Sequence, residues 1–271
     1  MKIFAPSYYN KFKCISDKCK NNCCIGWEID IDENALSFYK TDKSLMKGIS
    51  LTPTPHFILT EKDRCPFLND NNLCCIIEKY GEEKLCQICS DHPRFRNFFD
   101  SRTEIGLGLT CEAAAKLILD NDFSLIKIDD DNEEELIDSD QEDFFAQREF
   151  YFKSDLKDIV HLLPKIPIST IGEKLFSFER LDASWDKYLN KLKNSSQCLN
   201  EIKVSDYKKA KRLLDYFIFR HLYNFSIEFC LLCTFIILAI NVDIYDVSRM
   251  FSSEIEYSDK NLEALFEFLK M

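Results

Sequence analysis

Thirteen cysteines occur in this chain, and they are unevenly placed. Ten fall within the first 111 residues: Cys14, Cys19, Cys23, Cys24, Cys65, Cys74, Cys75, Cys86, Cys89 and Cys111. Thiolates are soft ligands for zinc and for iron–sulfur clusters. Cys86-Gln-Ile-Cys89 has the spacing that lets two thiolates reach one ion from a tight turn. Cys14 and Cys19 flank Ile-Ser-Asp-Lys, and Cys23-Cys24 follows Lys20-Asn21-Asn22. These neighbours are polar, whereas cysteines packed as small hydrophobes sit among apolar residues. Metal ligation is therefore the preferred reading.

The same spacing means something else further on. Cys230-Leu-Leu-Cys233 lies inside the apolar run Phe229–Ile240 and reads as two core thiols of a buried helix. Cys198 stands alone. Adjacent side chains diverge along the backbone, so Cys23 with Cys24, and Cys74 with Cys75, either feed two sites or leave one member to packing. One four-cysteine centre and two such centres both remain open. His92, three residues after Cys89, is expected in a polar role rather than as a ligand.

Local pattern supplies the elements that must hold these groups. Asp32 can cap a helix over 33–47. His56–Thr60 reads as a strand, and Cys65–Ile77 as a hairpin turning at Asn69–Asn72. Helices are expected over 76–90 and 111–120. Thr170-Ile-Gly-Glu173 has the form of a capping box opening a helix over 170–194. Leu213, Leu214, Phe217, Ile218 and Leu222 keep the rhythm of a buried helical stripe. Further helices are expected near 226–240, 243–257 and 259–270.

The expected fold is mainly α. A small, irregular, Cys-rich, metal-stapled N-terminal module with a short hairpin precedes a helical C-terminal bundle. Residues 1–125 form the metal-binding module, 126–143 an acidic linker, and 144–271 the helical domain. Asp129–Asp143 carries ten acidic positions out of fifteen, which suits a solvated loop. A module of this kind has little apolar core, so a thiolate-bound ion would hold it together.

The totals narrow the function classes. A net charge of −11 argues against nucleic acid, because phosphate contacts need a basic face. The longest apolar run, Phe229–Ile240, is shorter than the roughly 20 residues needed to span a bilayer. No secretion signal is visible near Met1. The expected compartment is the cytoplasm, where structural disulfides are disfavoured. No dinucleotide fingerprint, P-loop, zincin motif or nucleophile elbow occurs; Gly106-Leu-Gly108 stands alone.

At the level of motifs, Cys14-x4-Cys19-x3-Cys23-Cys24-Ile-Gly-Trp-Glu-Ile-Asp-Ile-Asp32 resembles the start of the flagellin lysine-N-methylase family. So do Cys65-Pro-Phe-Leu with Leu73-Cys74, Gly81-Glu-Glu-Lys-Leu-Cys86-x2-Cys89 with Pro93-Arg94, and Leu109-Thr-Cys111-Glu-Ala-Ala. The later half is also similar, through Phe178–Tyr188, Tyr216-Phe-Ile-Phe-Arg-His221 and Glu256-Tyr-Ser-Asp-Lys-Asn-Leu-Glu263. Cys75 lies outside the family's pattern, and His92 stands where the family tends to carry an aromatic residue. The chain is shorter than its relatives between about 120 and 170.

The resemblance implies methyl transfer from S-adenosylmethionine to lysines of flagellin, in a bacterial flagellum context. It also implies an iron–sulfur cluster, with 4Fe-4S as the expected form and zinc as the alternative. The metal ligands it implies are Cys14, Cys19, Cys23, Cys24, Cys65, Cys74, Cys86, Cys89 and Cys111. No catalytic base is named by it. Trp27, Tyr188, Tyr216 and Tyr223 read first as core aromatics, and Arg94 and Arg220 first as ion-pair residues. The alternative reading is a non-enzymatic zinc- or iron-binding protein serving interaction or redox sensing.

Overall fold

The computed structural model describes residues 2–130 and 139–270. The chain is mainly helical with a small sheet. It divides into two compact units, Lys13–Arg94 and Met1–Phe12 with Phe95–Met271.

The Lys13–Arg94 unit is built from short pieces. Helix α1 spans Glu33–Tyr39 and α2 spans Lys43–Met46. The expected helix over 33–47 is thus broken in two. Asp32 caps α1 as read, its carboxylate accepting from Ala35 N–H at 3.0 Å. Ile49–Ser50 pairs antiparallel with His56–Phe57. The Asn69–Asn72 turn is present with Asn72 in the left-handed region, but its ladder is a single bridge between Leu68 and Cys74. Helices α3 (Cys75–Tyr80) and α4 (Gln87–Asp91) replace the continuous helix expected over 76–90. Gly81, at φ +91°, ends α3. The unit buries ten residues as its core, among them Tyr39, Phe57, Phe67, Ile76 and Cys86. That is a slender apolar reserve, as the sequence implied.

The other unit carries a sheet that the sequence did not announce. Its strand order is Arg94–Phe98, Arg102–Leu107, Lys2–Pro6, Leu125–Asp130. Lys2–Pro6 runs parallel to Arg102–Leu107 and antiparallel to Leu125–Asp130. Composition therefore misplaced the boundaries of the 1–125 module and the 126–143 linker. The chain's start returns to the helical unit by strand pairing, and residues 126–130 complete a strand. The next helix is described over Ser139–Lys153, and residues 131–138 of the acidic run lie outside the described residues.

Helices α5 (Glu112–Asp120), α6 (Ser139–Lys153), α7 (Leu156–Ile159), α8 (Ile168–Phe176) and α9 (Asp186–Lys193) follow in order. They are succeeded by α10 (Tyr207–His221), α11 (Ile227–Ile240), α12 (Ile244–Phe251) and α13 (Asp259–Leu269). Helix α10 carries the expected buried stripe, α11 and α13 match 226–240 and 259–270 closely, and the helix expected over 243–257 is α12 followed by a π-helical turn, Ser252–Glu256. Helix α11 is buried on nearly every side, with Cys230 and Cys233 both fully inside, so that CxxC pair belongs to the core. Among the described residues no helix is long and apolar enough to cross a membrane. On the sheet, the buried Glu104 carboxylate takes a bidentate pair from Arg148 of α6 at 2.8 and 2.6 Å, and Arg102 at 2.7 Å.

The single helix expected over 170–194 is instead the α8–α9 pair. Pro167 precedes the first turn of α8, so Thr170 lies inside the helix and not at its cap. Between the two, the buried Glu254 carboxylate accepts from the N–H groups of Leu181 (3.1 Å) and Asp182 (2.6 Å), and Asn261 accepts from Glu179 N–H (3.1 Å). Those groups offer the 179–182 backbone partners that a helix would have offered. The helices pack so closely that a Cβ on Gly172 would stand 2.6 Å from Lys193 N and 2.9 Å from Leu192 C. Gly172→Ala should therefore cost about 1–3 kcal/mol, read as a lower midpoint in urea with an unchanged slope.

Candidate functional site

In the Lys13–Arg94 unit the cysteines are carried by turns whose backbone is pinned by side chains. Arg64 reaches across to Asn72 Oδ1 at 3.1 Å and to Asn69 O at 3.0 Å. That fork fixes the Asn69–Asn72 turn beside Cys65 and so sets where Cys74 stands. Asn69 Oδ1 also accepts from Asn71 and Leu73 N–H. Cys65 N–H donates to Cys24 O at 2.8 Å, joining the two cysteine loops. The second Asp32 oxygen accepts from Gln87 N–H at 2.7 Å, which ties α1 to the residue after Cys86.

The sulfurs so placed lie within electrostatic reach of one another. Cys24 feels Cys23, Cys65 and Cys74; Cys89 feels Cys86, Cys24 and Cys65. Within this group there are two hydrogen-bonded thiol pairs. The bond from Cys24 holds the Cys23 thiol down to about 4, and the bond from Cys89 lowers Cys86. The donors, Cys24 and Cys89, are raised in return. Burial pushes Cys65 up to about 11 and also raises Cys74.

Backbone amides point at several sulfurs: Phe67 at Cys65, Ile76 and Ile77 at Cys74, and Cys89 at Cys86. Amide donors to sulfur stabilise thiolate and tune a metal held by it. Among the described residues no three His, Cys, Asp or Glu side chains already stand in metal-holding geometry. The donor chemistry nonetheless fits a soft cation: six sulfurs, four of them in two hydrogen-bonded pairs, with backbone amides at the other two.

Six of the nine cysteines expected as ligands belong to this coupled group: Cys23, Cys24, Cys65, Cys74, Cys86 and Cys89. Cys14 and Cys19 flank the one-turn helix Ser16–Lys18, where Cys14 Sγ accepts from Ser16 N–H and Cys19 Sγ donates to Asn21 O. Cys111 lies in the other unit, as the residue capping α5. Cys75 is exposed but feels Cys65 and Cys74. His92, expected to be bland, hydrogen-bonds Cys23. Its spacing three residues after Cys89 was the available signal.

The second unit contains a separate polar cluster beneath a cleft, assembled from residues far apart in sequence. Glu256 ends a π-helical turn, Ser252–Glu256, that continues α12. Its buried carboxylate is met by His221 Nε2 at 2.6 Å, Arg220 Nε at 3.3 Å and the Tyr216 hydroxyl at 3.0 Å. Arg220 also donates to the Tyr216 hydroxyl at 2.8 Å, so the structural ion-pair reading of Arg220 holds. Burial alone would raise the Glu256 carboxyl, but Arg220, then the His221 bond, outweigh it and bring it from its ordinary 4.5 to about 2. Burial lowers His221 below its ordinary value despite the nearby Glu256 carboxylate, which can only accept and so takes its bond from the ring's Nε2–H.

Above this cluster lies an open cleft of about 610 Å³. Phe95, Arg96 and Asn97 form one wall. Asp259, Leu262 and Glu263 of α13 form another, and Arg220, His221 and Glu256 make the floor. The floor joins two of the segments whose sequence resembled the methylase family, Tyr216–His221 and Glu256–Glu263.

Glu256→Gln should destabilise the protein by about 3–5 kcal/mol, because Arg220 would be left buried without its counter-charge. Since the folded carboxyl titrates below its unfolded value, its stabilisation is complete above about pH 4.5 and is lost as pH falls towards 2. The variant should lose that acid limb in denaturant titrations run across this window.

No protein-family model matches the chain, and no solved structure matches it. It is 26% identical over 133 residues to a lysine-N-methylase of Salmonella typhimurium, a stretch covering 44% of this chain and 33% of that protein. The lysine-N-methylase of Salmonella choleraesuis matches equally, at 26% over 133 residues. The flagellar biosynthetic protein FliU of Salmonella muenchen is 25% identical over 133 residues, 44% of this chain and 78% of FliU. The matched part is thus about a third of the length of the two methylases. These likenesses relate the chain to the lysine-N-methylases, in agreement with its cysteine-bearing motifs.

Proposed function

We propose that this protein is an S-adenosylmethionine-dependent lysine N-methyltransferase acting on flagellin, with a cysteine-ligated iron–sulfur cluster in its Lys13–Arg94 unit. The observation that carries the reading is the electrostatic coupling of Cys23, Cys24, Cys65, Cys74, Cys86 and Cys89 in a chain related to lysine-N-methylases. Those six residues would hold the cluster. Bound there, it would brace a unit that has a slender core, as structural metals do in small modules.

The reaction is a displacement. The lysine nitrogen forms a bond to the sulfonium methyl while the carbon–sulfur bond breaks, and the electron pair leaves with the thioether sulfur. The amine must first be neutral, although a free lysine has a pKa near ~10.4. A site achieves this by desolvating the ammonium or offering a proton acceptor. It must then hold nitrogen, carbon and sulfur in line. Methyl transfer needs no redox step, so the thiol cluster serves structure or cofactor placement in this reading.

Purified anaerobically, the protein should bring down iron and acid-labile sulfide together. Incubated with S-adenosylmethionine and unmodified flagellin, it should add methyl groups to flagellin lysines, seen by mass spectrometry. Absence of any mass gain on lysine would refute the activity. Cys65→Ser should abolish most bound metal and lower the melting temperature, while Cys75→Ser, at an exposed position outside the family pattern, should leave metal content near that of the parent. Equal metal loss in both would contradict the ligand set.

A further inference from the structure

The cleft above Glu256 has features that the thiol chemistry does not use. Two carboxylates, Asp259 and Glu263, stand one turn apart on α13 at its wall, both exposed. Among the described residues neither is hydrogen-bonded or ion-paired, and the adjacent Lys260 is turned to Glu179 instead. The floor's charged groups are turned to one another, because Arg220 and His221 both bond the Glu256 carboxylate. The wall of α13 is therefore an unspent negative surface facing a cavity, and it suits an organic cation.

The remaining lining narrows the cation. Phe225 and Leu262 give the cleft apolar surface, and Phe95 lies on the strand side. Aromatic faces and carboxylates together favour a soft, weakly hydrated cation. The volume of about 610 Å³ is in the range of sites that hold a whole drug-sized molecule. A lone lysine side chain needs only a narrow channel.

We infer that this cleft seats the methyl donor, with its sulfonium facing Asp259 and Glu263 and its nucleoside against Phe225 and Leu262. The inference rests on the methyltransferase reading for its ligand and adds where that ligand binds. Both carboxylates are exposed on a helix surface, so their amides should leave the fold intact.

The test is calorimetric titration of the full chain and of the Asp259→Asn/Glu263→Gln double variant. Each is titrated with S-adenosylmethionine and with S-adenosylhomocysteine, which lacks the sulfonium charge. The double variant should bind S-adenosylmethionine roughly tenfold more weakly, the scale of two exposed charge contacts, while S-adenosylhomocysteine binds nearly as before. The loss should shrink in high salt, which screens such contacts.

Unchanged S-adenosylmethionine affinity, or equal losses for both ligands, would overturn the inference. So would a variant that loses only binding of a lysine-bearing flagellin peptide. A parent protein that methylates flagellin while the variant binds donor normally refutes the cleft assignment alone. A parent that binds donor here but never methylates flagellin refutes the proposed function alone.

Discussion

A single buried carboxylate organises the helical unit. Taking Glu256 out of water is tolerable only because the chain delivers a guanidinium, an imidazole N–H and a phenol to it. All three come from the C-terminal part of α10, at Tyr216, Arg220 and its neighbour His221, so the helix cannot rotate or slide without stranding the charge. The π-turn that ends α12 widens the helix at the point where Glu256 must reach back. The floor of the cleft is consequently rigid, which a site for small-molecule binding requires.

The thiol-bearing unit answers a different shortage. Its apolar core is small, so position is enforced by polar staples: Arg64 on the Asn69–Asn72 turn and Asp32 between α1 and α4. These bonds act on backbone next to the cysteines, not on the sulfurs. The sulfurs then find amide donors and one another. Two thiol pairs each favour one thiolate, Cys23 and Cys86 being lowered by the bonds from Cys24 and Cys89.

Much of this was legible in the residues. The stripe through Leu213, Leu214, Phe217 and Ile218 placed α10, and the run Phe229–Ile240 placed α11, because helix periodicity and length are local properties. Asp32 was readable as a cap for the same reason. The sheet was not readable. Lys2–Pro6 is short and ends in proline, and its partners lie about a hundred residues away, so nothing nearby marks it as a strand. The helix over 170–194 failed because Glu254 and Asn261, remote in sequence, hold the connecting backbone. Spacing and polar neighbours singled out the cysteines for ligation, and of those named Cys111, next to a resembling motif, sits in the other unit. The cleft could not be seen at all, since His221 and Glu256 acquire meaning only once they touch.

Among the described residues the strand Lys2–Pro6 pairs only with Arg102–Leu107 and Leu125–Asp130, and the whole Lys13–Arg94 segment lies between them in sequence. On a ribosome, this strand emerges long before either partner exists. It must wait, unpaired, while the cysteine-bearing segment is made and exposed. The segment can thus collapse and recruit its sulfurs as an independent step, before the long-range parallel pairing closes the sheet. Assembly of the thiol group and closure of the helical unit are therefore separable events in the life of the nascent chain. If the proposed cluster binds there, a defect in metal supply would strike the first of them while the second still lay ahead.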